Sequence, residues 1–150
     1  MADLIVLRDL SHGRRIAIAA GTTFDPTADG VIAREIDGEL LGGMLYKDFT
    51  PASCFVHLAG IRPWWCNRAL VWVGMDYPFR VLELERIFGL VPEHNARSVH
   101  LAEHLGFTEV TRIPGVHPAG RASIVYKLER QACRFLEWRQ PQFTFVQGDR

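Results

Sequence analysis

Side chains able to do acid–base, nucleophilic or metal chemistry are few and scattered along this chain. Of the six histidines, His57 stands out. It lies inside the apolar run Ser-Cys-Phe-Val-His-Leu-Ala-Gly-Ile, residues 53–61, which reads as a buried strand. An imidazole there can accept a proton near neutral pH, or it can be a structural ring hydrogen-bonded within a sheet. His94, His100 and His104 flank or occupy a helical stretch. The four-residue spacing of His100 and His104 imitates a metal-binding pair, but no acidic partner and no third ligand accompany it. The segment reads as a solvated helix face, and no metal site is expected. Cys54, Cys66 and Cys133 form no CxxC pair and have no metal-ligand spacing. They read as reduced thiols. Cys66, beside a helix start, has no base nearby in sequence that would make it a nucleophile. Glu83 and Glu85 read as a solvated turn, Tyr126 as a core tyrosine, and Ser98 as a first-turn helix serine with local hydrogen bonds.

The basic residues are skewed. Fifteen of the 17 are Arg, and only Lys47 and Lys127 are Lys. Coding bias is the leading account of the skew; the functional one is that arginine forks suit phosphates and carboxylates. The 17 acidic residues bring the net charge to zero, so the basic footprint of a nucleic-acid-binding chain is missing. With 48% hydrophobic and 23% charged residues over 150 positions, the composition predicts one globular domain spanning the chain. The N-terminus lacks a signal-peptide pattern, and no window approaches the roughly 18 apolar residues of a membrane span. A cytoplasmic protein is the expectation.

The elements that must hold these residues alternate. Residues 4–7 predict a strand and 12–20 a short helix stopped by Gly21. Residues 22–30 predict a loop. Residues 31–36 and 40–46 flank Asp37-Gly38, a strong tight-turn signal. After the 53–61 strand, ended by Arg62-Pro63, a helical pattern begins at Asn67, with Ala69, Trp72 and Val73 on its apolar face. Pro78 limits or kinks that helix. A short strand covers 86–91. Asn95 is a good N-cap for a helix over 96–105, and Gly106 stands where a left-handed cap belongs. A strand pair over 108–113 and 123–128 follows, then a helical tail over 129–139. Residues 142–146 predict an extended end whose Phe143, Phe145 and Val146 are costly to expose; edge pairing there would make a homodimer. The whole is an α+β alternation with one parallel crossover.

Three segments in this order resemble the GCN5-related N-acetyltransferase (GNAT) superfamily, and more narrowly its small phage-type members. They are Ile61-Arg-Pro-Trp-Trp-Cys-Asn-Arg68 followed by Asp76-Tyr-Pro-Phe79, then Asn95-Ala-Arg-Ser98…Leu105-Gly-Phe107, and finally Val125-Tyr-Lys-Leu-Glu-Arg130…Cys133-Arg-Phe-Leu136. The resemblance implies a mixed, mostly antiparallel twisted sheet with flanking helices and a parallel central strand pair splayed apart. It implies acetyl-CoA as co-substrate, with the pantetheine arm in the splay and the pyrophosphate at the next helix N-terminus, where free N–H groups and the helix dipole attract phosphate. Transfer would go by direct attack to an amine, on a small molecule or a protein. Carried onto this sequence, Ala59, Ile61, Arg62, Trp65, Cys66, Asn67, Arg68, Ala69, Asn95 and Ser98 would bind the cofactor. His57 would serve as base, and Ser98 as a second catalytic candidate able to orient a water. Arg62 and Arg68 would supply phosphate charge, so Arg68→Ala is expected to weaken CoA binding more than Arg34→Ala.

The chain departs from the family pattern at two places. Its loop Pro63-Trp64-Trp65-Cys66-Asn67-Arg68-Ala69 has none of the usual phosphate-loop glycines. Ala102 stands where many members place the tyrosine that protonates the departing thiolate. These departures motivate an alternative: a catalytically inactive GNAT-like binding or virion-associated protein, in which Trp64 and Trp65 fill the splay.

Overall fold

The computed structural model describes residues 2–148. In chain order it contains β1 (Asp3–Leu7), α1 (Leu10–Ala20), β2 (Gly30–Ile36), β3 (Glu39–Lys47), β4 (Ser53–Gly60), α2 (Arg68–Asp76), β5 (Arg86–Pro92), α3 (Ala96–His104), β6 (Thr108–Ile113), β7 (Ser123–Glu129) and β8 (Thr144–Gln147). The strands form one sheet in the order β6-β7-β5-β4-β3-β2-β1-β8. Neighbours run antiparallel except β4 with β5 and β1 with β8, which are parallel. The expected mixed sheet with a central parallel pair is therefore present, together with a second parallel pair at one edge.

Local chemistry explains most element ends. The Asp9 side chain accepts from the His12 N–H at 2.9 Å and caps α1. The β2–β3 turn places Asp37 at φ 51° and Gly38 at φ 81°. Two left-handed residues in succession give the turn whose twist matches a hairpin, and a Cβ at Gly38 would oppose it. Asn67 and Asn95 cap α2 and α3, their side chains accepting from Leu70 N at 2.9 Å and Ser98 N at 3.2 Å. Beyond Asp76 the chain continues as a π-helical turn, Tyr77–Val81. Pro78 lacks the N–H that regular α-helix would need there.

Two apolar clusters lie on opposite faces of the sheet. Ile16 and Ala17 of α1 pack with Val6, Val31, Ala33, Leu40, Leu45 and Ala59 on one face. Leu70 and Met75 of α2, with Ala102 of α3 and its C-cap Leu105, pack with Cys54, Val56, Ile87, Ile124 and Tyr126 on the other. Strand alternation therefore puts His57, two residues before Ala59, on the α1 face.

Residues 129–139 do not form the expected helical tail. β7 runs to Glu129, and two 3-10 turns follow, Arg130–Ala132 and Arg134–Glu137. Side chains hold this stretch flat on the body: Arg130 donates to the Leu84 carbonyl at 3.1 Å, Arg134 donates to the His104 carbonyl at 2.6 Å, and Phe135 is buried. These tertiary tethers outweigh helix propensity. The extended end forms β8, which pairs with β1 of its own chain, Leu4 opposite Thr144 through Leu7 opposite Gln147, and becomes the outer strand of the sheet. Among the described residues no helix is long and apolar enough to cross a membrane.

Candidate functional site

β4 and β5 pair over only three registers, Ser53 with Arg86, Cys54 with Ile87 and Phe55 with Phe88. Past that point they diverge. β4 stays bonded to β3 as far as Gly60, and β5 stays bonded to β7 as far as Pro92. The inner edge of β4 from Val56 onward therefore faces no strand, and its backbone groups are open to a ligand that can hydrogen-bond like one. The fork encloses a cavity of about 530 Å³. Val56, His57, Leu58, Ala59 and Gly60 line one side, Gly89, Leu90 and Val91 the other, with Ala19 and Ala20 from the α1 face and Asn95, Arg97, Ser98 and Ala102 from the α3 face.

The loop from β4 to α2 forms the mouth. The Ile61 and Arg62 N–H groups both donate to the Leu41 carbonyl, at 2.8 and 3.0 Å. Trp65 lies on bare backbone: a Cβ at Gly60 would overlap its ring, and one at Gly42 would fall 2.8 Å from it. Two glycines thus seat the indole against the strand ends, where it lines the cavity without filling it. Trp64 points away and is 61% exposed.

What pins this loop is a residue not expected at the site. Arg34, on β2, is buried at 7% exposure. Its guanidinium donates to the Trp64 carbonyl at 2.6 Å and the Trp65 carbonyl at 3.1 Å, and forms a fork with the Asp3 carboxylate at 2.9 and 3.0 Å. One planar cation thereby satisfies two loop carbonyls that a glycine-rich loop would handle differently.

Of the expected site residues, the fork brings together the base candidate His57 and the binding candidates Ala59, Ile61, Arg62, Trp65, Asn95 and Ser98. It does not bring in the other four. Asn67 spends its side chain on the α2 cap. Ala69 is buried in the α2 core and Cys66 is packed against it. Arg68 lies over the Trp138 ring, 3.9 Å from its centre. Arg62 keeps a place in the cavity wall, but its guanidinium forks onto Glu39 at the surface. Burial pushes the Cys66 thiol up to about 11, so it carries no thiolate near neutral pH. His100 and His104 stack on the exposed side of α3. Among the described residues no group of three metal-ligating side chains is assembled.

His57 is half-buried in the cavity wall. Burial, and secondly the charge of Lys47, hold its pKa below the ordinary imidazole value, against weaker pulls upward from Asp48 and Asp29. Among the described residues the hydrogen-bonded histidine rings are those of His12 and His117, and His57 is not one of them. Lys47 itself is fixed by Asp29, Nζ to Oδ2 2.5 Å. On the other face Tyr126, opposite Gly89 at the fork, is 1% exposed and donates its hydroxyl to Glu103 at 3.2 Å. Burial, then Glu103, raise its pKa, so the phenol stays protonated. Arg97 lines the cavity without having been expected there, and the helix-start triplet Asn95-Ala-Arg was the available signal for it. Tyr126, read from sequence as a core tyrosine that could instead face the acceptor site, is buried and also lines the cavity.

A parallel pair that opens into a ligand-sized fork, between a helix on one face and two on the other, is a distinctive architecture. A crystal structure of spermidine N-acetyltransferase from Vibrio cholerae in complex with CoA and spermine superimposes with a TM-score of 0.61 at 20% identity, covering 73% of this chain and 69% of that one. A candidate acetyltransferase from T. thermophilus gives a TM-score of 0.59 at 21% identity, over 69% of this chain and 60% of that one. The fold is that of the GCN5-related N-acetyltransferases. Within the GNAT fold the fork between β4 and β5 is the cavity described above. No family model and no curated protein matches the sequence.

Proposed function

We propose that this chain is an acetyl-CoA-dependent N-acetyltransferase that passes an acetyl group directly to an amine. The observation that carries the reading is the unpaired inner edge of β4 beside an open 530 Å³ fork, with a neutral imidazole in its wall. An extended chain of amides, such as pantetheine, finds backbone partners along residues 56–60, as an added strand would. Trp65, seated on Gly42 and Gly60, leaves that path open, which supports an active enzyme over a filled, inactive cleft. Arg97 lines the fork and provides charge for the phosphates, while the Arg62 guanidinium is held by Glu39.

The chemistry divides between the two faces. His57 takes the proton from the acceptor ammonium, freeing the lone pair that attacks the thioester carbonyl. A carbon–nitrogen bond forms, the carbon–sulfur bond breaks, the thiolate leaves, and the new amide nitrogen gives its second proton to solvent water. Tyr126, protonated at the fork, gives the thiolate its proton and recovers one from solvent. It takes the part left empty at Ala102. Ser98, in the same wall with its N–H on Asn95, contacts the cofactor arm.

Calorimetric titration with CoA and acetyl-CoA tests the binding. One site per chain and a thermal shift are expected; no heat and no shift at millimolar ligand would end the proposal. Tyr126→Phe should lower kcat by about 10- to 100-fold and leave CoA affinity unchanged. An unaltered kcat would remove Tyr126 from the mechanism while leaving the rest intact.

A further inference from the structure

A second cavity of about 570 Å³ shares no lining residue with the fork. It lies between the end of β1, the start of β2, the C-terminal half of α2 and β8. Its walls are aromatic. Trp72 and Phe143 face each other with ring centres 6.0 Å apart, Phe143 and Phe145 follow at 5.9 Å, and Tyr77 and Phe24 complete the lining. Phe145 is 57% exposed, and an aromatic surface left open to water in a concave site favours an apolar ligand body.

The charges around this cavity are unequally satisfied. Asp29 is held by Lys47 at 2.5 Å and Asp76 by Arg80 at 3.3 Å. Arg8 also lines the cavity, and among the described residues its guanidinium has neither a hydrogen bond nor an ion pair. Arg8 and Tyr77 line the same cavity, and the Arg8 charge opposes the upward push of burial on the Tyr77 phenol. The backbone at Arg8 is held at φ 60°, a left-handed conformation that non-glycine residues seldom adopt. The Arg8 N–H donates to the Val31 carbonyl at 3.2 Å, fixing where the side chain leaves the chain.

We infer that this cavity is a binding site for a small apolar carboxylate, with its hydrocarbon or aromatic body between Trp72, Phe143 and Tyr77 and its anionic group on Arg8. The two carboxylates in the wall are already neutralised by their partners. Among the described residues the one unspent charge in the wall is positive, so an anion gains a charge-assisted pair where a cation meets repulsion. The site stands apart from the acetyl-transfer fork and does not depend on it.

The test uses two probes with the same body and opposite charge, 4-phenylbutyrate and 4-phenylbutylamine. Binding is followed by calorimetry and by the Trp72 indole N–H resonance, assigned through Trp72→Phe. Phenylbutyrate should shift that resonance and bind at least about tenfold more tightly than the amine. Arg8→Gln should abolish the preference while preserving the melting temperature. Phe143→Ala should weaken both probes at this site. Equal affinities, a preference retained in Arg8→Gln, a Trp72 resonance that does not move, or no binding of phenylbutyrate at roughly 10 mM would each overturn the inference. None of these outcomes bears on CoA binding at the fork.

Discussion

Replacing His57 with Gln should lower kcat/KM for acetyl transfer by about 10²- to 10⁴-fold and leave CoA affinity unchanged, because glutamine keeps the size of the side chain and loses the proton acceptor. The pH dependence makes the test specific. Burial first and Lys47 second keep the His57 pKa below 6.5. The base works in its neutral form, so kcat/KM should rise with pH through that depressed value and be flat from there to neutrality. In His57→Gln the acid limb should vanish. Lys47→Met should move it up toward 6.5, since removing the cation and releasing the Asp29 carboxylate both favour the imidazolium. Steady-state rates from pH 5 to 8 decide the matter. A His57→Gln profile with the wild-type acid limb would assign that limb to another group.

Arg34→Ala should be the most damaging change at the cofactor mouth. It strips the Trp64 and Trp65 carbonyls of their donor and leaves Asp3 without its fork. Each of the two orphaned, part-buried carbonyls costs about 1–2 kcal/mol, the lower part of the range for a buried group, and Asp3, partly exposed, recovers much of its loss in water, so roughly 2–4 kcal/mol of stability should go. The loop then no longer holds Trp65 against Gly42 and Gly60, and CoA affinity should fall about tenfold or more. Arg68→Ala removes a cation stacked on Trp138, worth about 0.5–1 kcal/mol, and should leave CoA binding as it was. This order reverses the one expected from sequence. Asp3→Asn separates the two parts of the Arg34 effect: it breaks the ion pair but keeps the carbonyl contacts, so it should cost some stability and little CoA affinity. Urea unfolding with parallel CoA titrations measures all three variants. An Arg68→Ala loss equal to that of Arg34→Ala would restore Arg68 to the phosphate site.

The reason for the reversal is general. Arg62 and Arg68 border the loop in sequence, and proximity along the chain was the only guide to which guanidinium served it. Arg34 lies about thirty residues upstream. Only the β1–β2–β3 pairing carries it beneath the Trp64-Trp65 peptides. In the same way the residues of 129–139 have ordinary helix-forming character. What flattens them is a set of arginine contacts to the carbonyls of Leu84 and His104, which no local pattern announces. The C-terminal apolar segment showed plainly that it needed a partner, but not that the partner would be β1 of the same chain.

Features that rest on neighbours along the chain were legible in the residues alone. Those are the Asp37-Gly38 turn, the Asn67 and Asn95 caps, the buried strand that carries His57, and the succession of elements that makes a parallel crossover. Each depends on backbone conformation or apolar period, which a few consecutive residues set. Long-range packing settled the rest: that β4 and β5 part after three registers, that Trp65 rests on two glycines from different strands instead of filling the fork, and that His57 and Tyr126 border one cavity from opposite faces of the sheet. Those outcomes are contacts between residues distant in sequence, and their energies exist only once the sheet has brought the partners within reach.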